Sequence, residues 1–299
     1  MAAAPVVLRT AIGRYPHTAA LRERRLRSHL VTLDFAEMPT INRAFAPMVR
    51  ESQYDVCEMA IATFLQAKAY AKPLVLLPVV LAARFQESAL LCRAGSDIRG
   101  PSDLKGRRVA VRAYSQTTGM WLRGVLADGY GVRPEDVRWI TVEDAHVAEY
   151  RDPPFVDRAS PRQDVVAMLR QGEVDAIIVG NEVPNDPALR TVFPDPEAAA
   201  EAFWKSHGFV PVNHLVTVRR EIAERHTDVV RELLRLFRES KMAALPSSPD
   251  RDPYPFGCKS LEPAISLALR YAAEQGLLPR RLAVGDVWEG LPAGLDQRL

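Results

Sequence analysis

The chain has 299 residues, of which 47% are hydrophobic and 25% charged, a globular balance that excludes disorder and coiled coil. It is too long for one ordinary α/β core, since single cores stop growing near ~250–300 residues, and it suits two. The 39 basic and 37 acidic side chains leave a net charge of +2 with no Lys/Arg stripe interleaved with aromatics, so nucleic acid is excluded as a partner.

In chain order, residues 6–12 read as a first strand and 41–51 as an amphipathic segment. Residues 54–61 and 74–80 are apolar and extended or buried, and 89–92 read as a strand. From about Gly95 to Pro211 a separate strand–helix logic takes over. Residues 107–111 form a short apolar run, followed by Ser115-Gln116-Thr117-Thr118 and a helical pattern. Met120, Trp121, Val125 and Leu126 recur on one face of that helix, and Gly129 and Gly131 supply its stop. A strand over 137–142, a short helix over 165–170 closed by Gly172 and a doubly buried strand over 174–179 complete βαβ units with a parallel sheet. Pro-rich stretches at 152–161, 184–196 and 246–255 read as loops. Residues 210–218 alternate again, and a helix over 228–242 follows with Val229, Leu233, Leu236 and Phe237 near one face. A last helix spans 261–275, with Pro263 in its first turn and Gly276 just past its end.

The expected architecture is therefore α/β and two-lobed. Residues 1–93 and 212–299 form a discontinuous first lobe, and 94–211 form an inserted second lobe. The strands at 89–92 and 210–218 carry two hinge crossings. Each lobe holds a sheet flanked by helices, and ligands of such sheets bind outside the carboxyl ends of the strands.

Cys57, Cys92 and Cys258 are far apart and odd in number, so neither a disulfide framework nor a metal site is expected. The start MAAAPVVLRTAIG has no basic leader region, and no apolar run reaches ~18–20 residues. The expectation is a cytoplasmic protein without membrane insertion, or a periplasmic one if a leader has been removed, and a homodimer is compatible with either.

Ser115, Gln116, Thr117 and Thr118 are the leading ligand-binding candidates. Hydroxyl and amide side chains at a helix start, with free N–H groups and the helix dipole, suit a carboxylate, although the same residues also serve as a plain N-cap. Arg14, Tyr15 and His17 follow the first strand and belong at a cleft rim unless they form a solvated loop. His214, beside Asn213 on a crossing strand, could pass a proton or be a structural histidine. Glu58 lies in the apolar run CEMAIA, where burial would make it an acid unless a basic partner holds it. Arg84 and Glu87 precede the crossing, and Asn181 and Glu182 follow the buried strand at its carboxyl end. Trp121 and Trp139 read most simply as core.

Taken together, several stretches resemble type 2 periplasmic-binding-protein folds and, within them, the 4,5-dihydroxyphthalate decarboxylase family. They are Tyr54-Asp55-Val56-Cys57-Glu58-Met59, Asp103-Leu104-Lys105-Gly106-Arg107-Arg108-Val109, Trp121-Leu122-Arg123-Gly124-Val125-Leu126, Gly172-Glu173-Val174-Asp175-Ala176, Gly208-Phe209-Val210-Pro211-Val212-Asn213-His214 and Tyr271-Ala272-Ala273-Glu274-Gln275-Gly276-Leu277. The chain departs from the family where Gln86 and Glu87 replace a basic and an imidazole position, where Arg14 replaces an acid, and where Ala60-Ile61-Ala62-Thr63-Phe64 replaces a serine-rich stretch. Thr63 in that stretch is a further ligand-binding candidate.

The resemblance implies a cofactor-independent lyase that removes CO2 from a small hydroxylated aromatic acid. One anionic group would rest on residues 115–118 and Arg14 or Arg84. The leaving carboxylate would face Ala60, Ala62 and Phe64, and His214 or Glu58 would protonate the ring carbon. A solute receptor or ligand sensor without chemistry is the rival reading. Other enzymes on this fold form a third class that no residue here specifically favours.

Overall fold

The computed structural model describes residues 4–160, 163–180, 182–245 and 251–295. The chain begins with β1 (Val6–Ala11), α1 (Ala19–Arg22), β2 (Val31–Phe35), α2 (Phe45–Glu51), β3 (Val56–Ala60), α3 (Ile61–Ala69) and β4 (Leu74–Ala83). Its middle supplies β5 (Leu90–Arg93), β6 (Arg108–Val111), α4 (Thr117–Tyr130), β7 (Arg138–Thr141), β8 (Val156–Arg158), α5 (Val165–Gln171), β9 (Ala176–Ile178), β10 (Leu189–Thr191) and α6 (Pro196–His207). It ends with β11 (Val212–Arg219), α7 (Arg220–Arg225), α8 (Thr227–Ala244), α9 (Cys258–Glu274) and α10 (Val284–Trp288).

Two mixed sheets result, in the orders β2-β1-β3-β11-β4 and β10-β5-β9-β6-β7-β8. In the first, β1 runs parallel to β2 and β3, while β11 lies antiparallel between β3 and β4. In the second, β9, β6, β7 and β8 are mutually parallel, β5 pairs antiparallel with β9, and β10 pairs antiparallel with β5. The α/β, two-sheet fold expected from the strand–helix spacing is what forms. The amphipathic face of α8 covers one side of the first sheet, packing Val230, Leu233 and Phe237 on Val75, Leu77 and Val216. A second apolar interior, including Met59 and Leu215 from one sheet, Val109 and Trp139 from the other and Trp121 from α4, runs unbroken through the waist.

The crossings sit differently from the expectation. Leu90–Arg93 belongs to the six-stranded sheet, so the chain passes between sheets over residues 84–89 and the second sheet already begins before residue 93. The return passes over 208–211. The two segments bond where the Arg84 N–H donates to the Pro211 carbonyl (3.0 Å) and Gln86 Nε2 donates to Asn213 Oδ1 (2.7 Å). Pro263 lies in the second turn of α9, which starts three residues earlier than its apolar periodicity indicates and is followed by the short α10. β8 and β10 are three-residue edge strands inside stretches read as loops, too short to show alternation.

A third tie crosses the waist. α9 lies against α4, where Arg270 and Tyr271 bond Asp128 (2.5 and 2.7 Å) and Gln275 bonds Arg123 (2.8 Å). Gly124 makes this approach possible, since a Cβ there would stand 2.1 Å from the Tyr271 ring. Gly124→Ala should therefore lose about 1–3 kcal/mol to overpacking. Gly129→Ala, in the same helix with nothing within 4 Å, should be neutral or stabilising. Urea unfolding of the two variants checks this, and equal stabilities would contradict the packing.

Candidate functional site

A cleft of about 870 Å³ opens between the sheets. The chain segments that line it follow the carboxyl ends of β1, β2, β3, β6, β7 and β9, which is where parallel strands release loops toward a ligand. The antiparallel strand β11 delivers its first residues to the same place, pairing His214 with Ala60 and Val216 with Glu58. Glu58 and His214 are thus diagonal neighbours across two strands, close enough for side-chain contact.

They make that contact. Glu58 is 0% exposed, and its carboxylate accepts from the Gly13 N–H (2.8 Å), the Tyr15 hydroxyl (2.6 Å) and His214 Nδ1 (2.6 Å). Burial, reinforced by Glu58, pushes the Tyr15 hydroxyl well above the ordinary phenol range, so it remains a donor. With Nδ1 committed to Glu58, Nε2 is the His214 nitrogen left for a molecule in the cleft, which His214 lines with a side chain 13% exposed. Glu58 itself does not line the cleft. It acts on the cleft through Tyr15 and His214.

A second imidazole lies nearby. His146 Nδ1 shares a 2.8 Å hydrogen bond with Thr63 Oγ1, and the rings of His146 and His214 both meet Phe45 nearly edge-on, at 5.6 and 5.1 Å. Burial, followed by the positive Arg112 and Arg50, lowers the His146 pKa to about 4. His146 is therefore a neutral imidazole near pH 7. Arg112, following β6, lines the same cleft and pairs loosely with Glu143 (3.4 Å).

Two helix starts converge here. The N-cap of α4, Gln116, makes no side-chain cap, and neither does Ala60 before α3. The Ala62 N–H donates to Thr117 Oγ1 (3.2 Å), joining the two starts across the lobes. The start of α5 also borders the cleft, but there Asp164 accepts from the Val166 N–H and caps it. The uncapped start of α4, with the Thr117 and Thr118 hydroxyls, therefore presents to the cleft the kind of helix end that suits an anion.

Of the candidates read from sequence, Arg14, Tyr15, Thr63, Gln116, Thr117, Thr118, Asn213, His214 and Glu182 line the cleft. Arg14 is an exposed rim group held by Glu37 (2.7 Å). Four others lie elsewhere. His17 is buried, stacked on Tyr254 at 4.1 Å and bonded to the Leu81 carbonyl, which makes it a structural histidine. Arg84 works at the waist, donating to Thr118 Oγ1 and the Gly180 carbonyl. Glu87 is enclosed in the crossing, where burial raises its pKa, and Ser115 is buried behind the helix start. Ala60 lines the cleft while Ala62 and Phe64 turn into the core. Asn181 lies outside the described residues. Sequence reading missed Phe45, Arg112 and His146. Arg112 had a signal, as the first residue past a buried parallel strand, whereas His146 sits in a loop with no periodic pattern.

The phosphonate periplasmic substrate-binding protein model of ABC transporters matches residues 36–246. A 4,5-dihydroxyphthalate decarboxylase from Comamonas testosteroni is 27% identical over 258 residues, covering 80% of this chain and 73% of that protein. One from Pseudomonas putida is 26% identical over 170 residues, covering 52% of this chain and 66% of that protein. The aliphatic sulphonate binding protein of Escherichia coli shares the fold, with a TM-score of 0.59 and 16% identity over 95% of this chain and 92% of its own. The alkanesulfonate-binding protein of Xanthomonas axonopodis pv. citri does so with a TM-score of 0.57 and 18% identity over 96% and 99%. By the extent of the model match, the chain belongs to the phosphonate periplasmic substrate-binding protein family of ABC transporters.

Proposed function

We propose that the chain removes CO2 from a small hydroxylated aromatic carboxylate held in the cleft. The observation that carries this reading is the imidazole of His214 braced by the enclosed carboxylate of Glu58. Recognition alone needs donors and charge. A carboxylate that fixes an imidazole's tautomer and compensates an imidazolium is an arrangement for moving a proton. The two related decarboxylases support the reaction type.

One acidic group of the substrate rests at the start of α4, on Thr117 and Thr118, with Arg112 near it. The Thr63–His146 pair, neutral at pH 7, meets a ring hydroxyl. His214 takes a proton from solvent on Nε2, its Nδ1–H remaining on Glu58, and gives it from Nε2 to the ring carbon that bears the leaving carboxylate. The C–C bond then breaks, its electron pair restores the aromatic ring, and CO2 departs. The donation leaves His214 neutral again, with its proton on Nδ1. A ring hydroxyl carries the charge that develops, so the step runs on side chains alone. Ala60 offers the leaving group an apolar neighbour.

A binding protein without chemistry is the second reading, favoured by the uncapped helix start in a family of periplasmic anion receptors. Carboxyl-labelled hydroxybenzoates and hydroxyphthalates separate the two. Labelled CO2 should appear, kcat should fall about 100-fold or more in His214→Ala, and Glu58→Gln should lower kcat with little change in KM. Ligands that raise Tm but return unaltered would contradict catalysis and support the receptor.

The site also predicts an acid response. His146 binds a proton more readily unfolded, near pH 6.5, than folded, at about 4. Its contribution to stability is whole above pH 6.5 and is lost as pH falls toward 4, by up to about 3 kcal/mol. His146→Gln should therefore lose Tm less steeply than the natural protein between pH 6.5 and 4.5. Burial depresses His17 likewise, and it remains in both. Parallel acid curves would refute the assignment.

A further inference from the structure

Arg123 belongs to a stretch that the cleft chemistry leaves unused, on the inner face of α4. It is 1% exposed. Its Nε donates to Gln275 Oε1 (2.8 Å) and its Nη2 to the Tyr114 carbonyl (2.6 Å), with the guanidinium 3.9 Å over the Tyr114 ring. Nη1 has no hydrogen-bond partner, and among the described residues no carboxylate forms an ion pair with this side chain. The facing titratable groups are Tyr114, Tyr150 and Asp152; burial raises the Asp152 pKa, which weakens the compensation it offers.

Helical side chains lean toward the N-terminus. Arg123 therefore reaches back one turn, and Nη1 ends against Gly119, the third residue of α4, where a Cβ would stand 2.9 Å from it. A cation gains stability at a helix C-terminus and loses it at an N-terminus. Here an enclosed cation with an unused donor lies under the positive end of an uncapped helix, on the side opposite the cleft hydroxyls of Thr117 and Thr118. A negative charge in the cleft would relieve that arrangement, and the enclosed position limits screening by salt.

We propose that Arg123 is a positioning residue that makes the start of α4 select a fully ionised acid group over an uncharged polar one. This rests on the reading that an acid lies at that helix start, and it names the property by which the acid is chosen. Arg123 touches no substrate and acts through the first turn of α4.

The test compares phthalate with phthalamide, its uncharged diamide, by titration calorimetry at pH 7.5. The natural protein should prefer phthalate. Arg123→Met should lose about tenfold in phthalate affinity and hold phthalamide within about twofold. A merely structural role would weaken both ligands alike, and that outcome, or an unchanged preference in Arg123→Met, would overturn the proposal. Should Arg123→Met fail to fold, Arg123→Lys decides: a buried lysine loses its proton far below its usual pKa, so its phthalate preference should decay between pH 6 and 9 while the natural protein's stays level. A level preference in Arg123→Lys would overturn the proposal. A natural protein that binds neither acid nor amide would instead overturn the underlying reading of the cleft, and this proposal with it.

Discussion

A carboxylate shut away from solvent must find its hydrogen bonds inside the protein or forfeit several kcal/mol. Glu58 meets that requirement with three donors from two separate places: the loop after β1 through Gly13 and Tyr15, and the start of β11 through His214. Glu58 and His214 are 156 residues apart in the chain, so one enclosed carboxyl group fastens the beginning of the first lobe to the return from the second. The same bonds aim His214 at the cleft. Stability and the placement of the His214 imidazole thus depend on one interaction.

Around it, the second lobe contributes positive groups, while Arg14 and Arg22 of the first lobe are paired with Glu37. The uncapped start of α4, Arg112 after β6 and the enclosed Arg123 all lie on that side, while the imidazoles meet the edge of Phe45 from the first lobe. The lobes are held in register at three levels. The paired crossings join at Gln86 and Asn213, α9 lies on α4, and Arg50 donates to the carbonyls of Ala145 and His146. Thr63 and His146 belong to different lobes, so this register sets the distance between the groups that would hold and protonate a substrate.

Much of the fold was legible because period and punctuation agreed. Gly131 and Gly172 stop α4 and α5 where expected, and the alternation over 210–218 matches β11. α3 was not legible. All nine of its residues are buried, so it carries no polar face, and its apolar run reads as a continuation of the strand before it. The site divided along similar lines. Residues directly following strands, such as Tyr15 and Thr117 after its turn, could be placed from the α/β rule, and His214 from the register of a return strand. His17 could not be separated from Tyr15 by spacing, because a single turn of 3₁₀ helix at Pro16–Thr18 leaves Tyr15 lining the cleft and stacks His17 behind it, between Tyr15 and Tyr254. His146 depends on a long loop folding back across the lobes, and no local pattern encodes that.

The central claim is that Glu58 holds His214 with a proton on Nδ1 and leaves Nε2 to the cleft. Nitrogen-15 NMR of the histidine rings tests it directly. The account predicts an Nδ1–H tautomer for His214, a strongly downfield Nδ1 proton that disappears in Glu58→Gln, and an Nε2 resonance that shifts when phthalate is added. An Nε2–H tautomer with no dependence on Glu58, or a ring indifferent to the ligand, would contradict it.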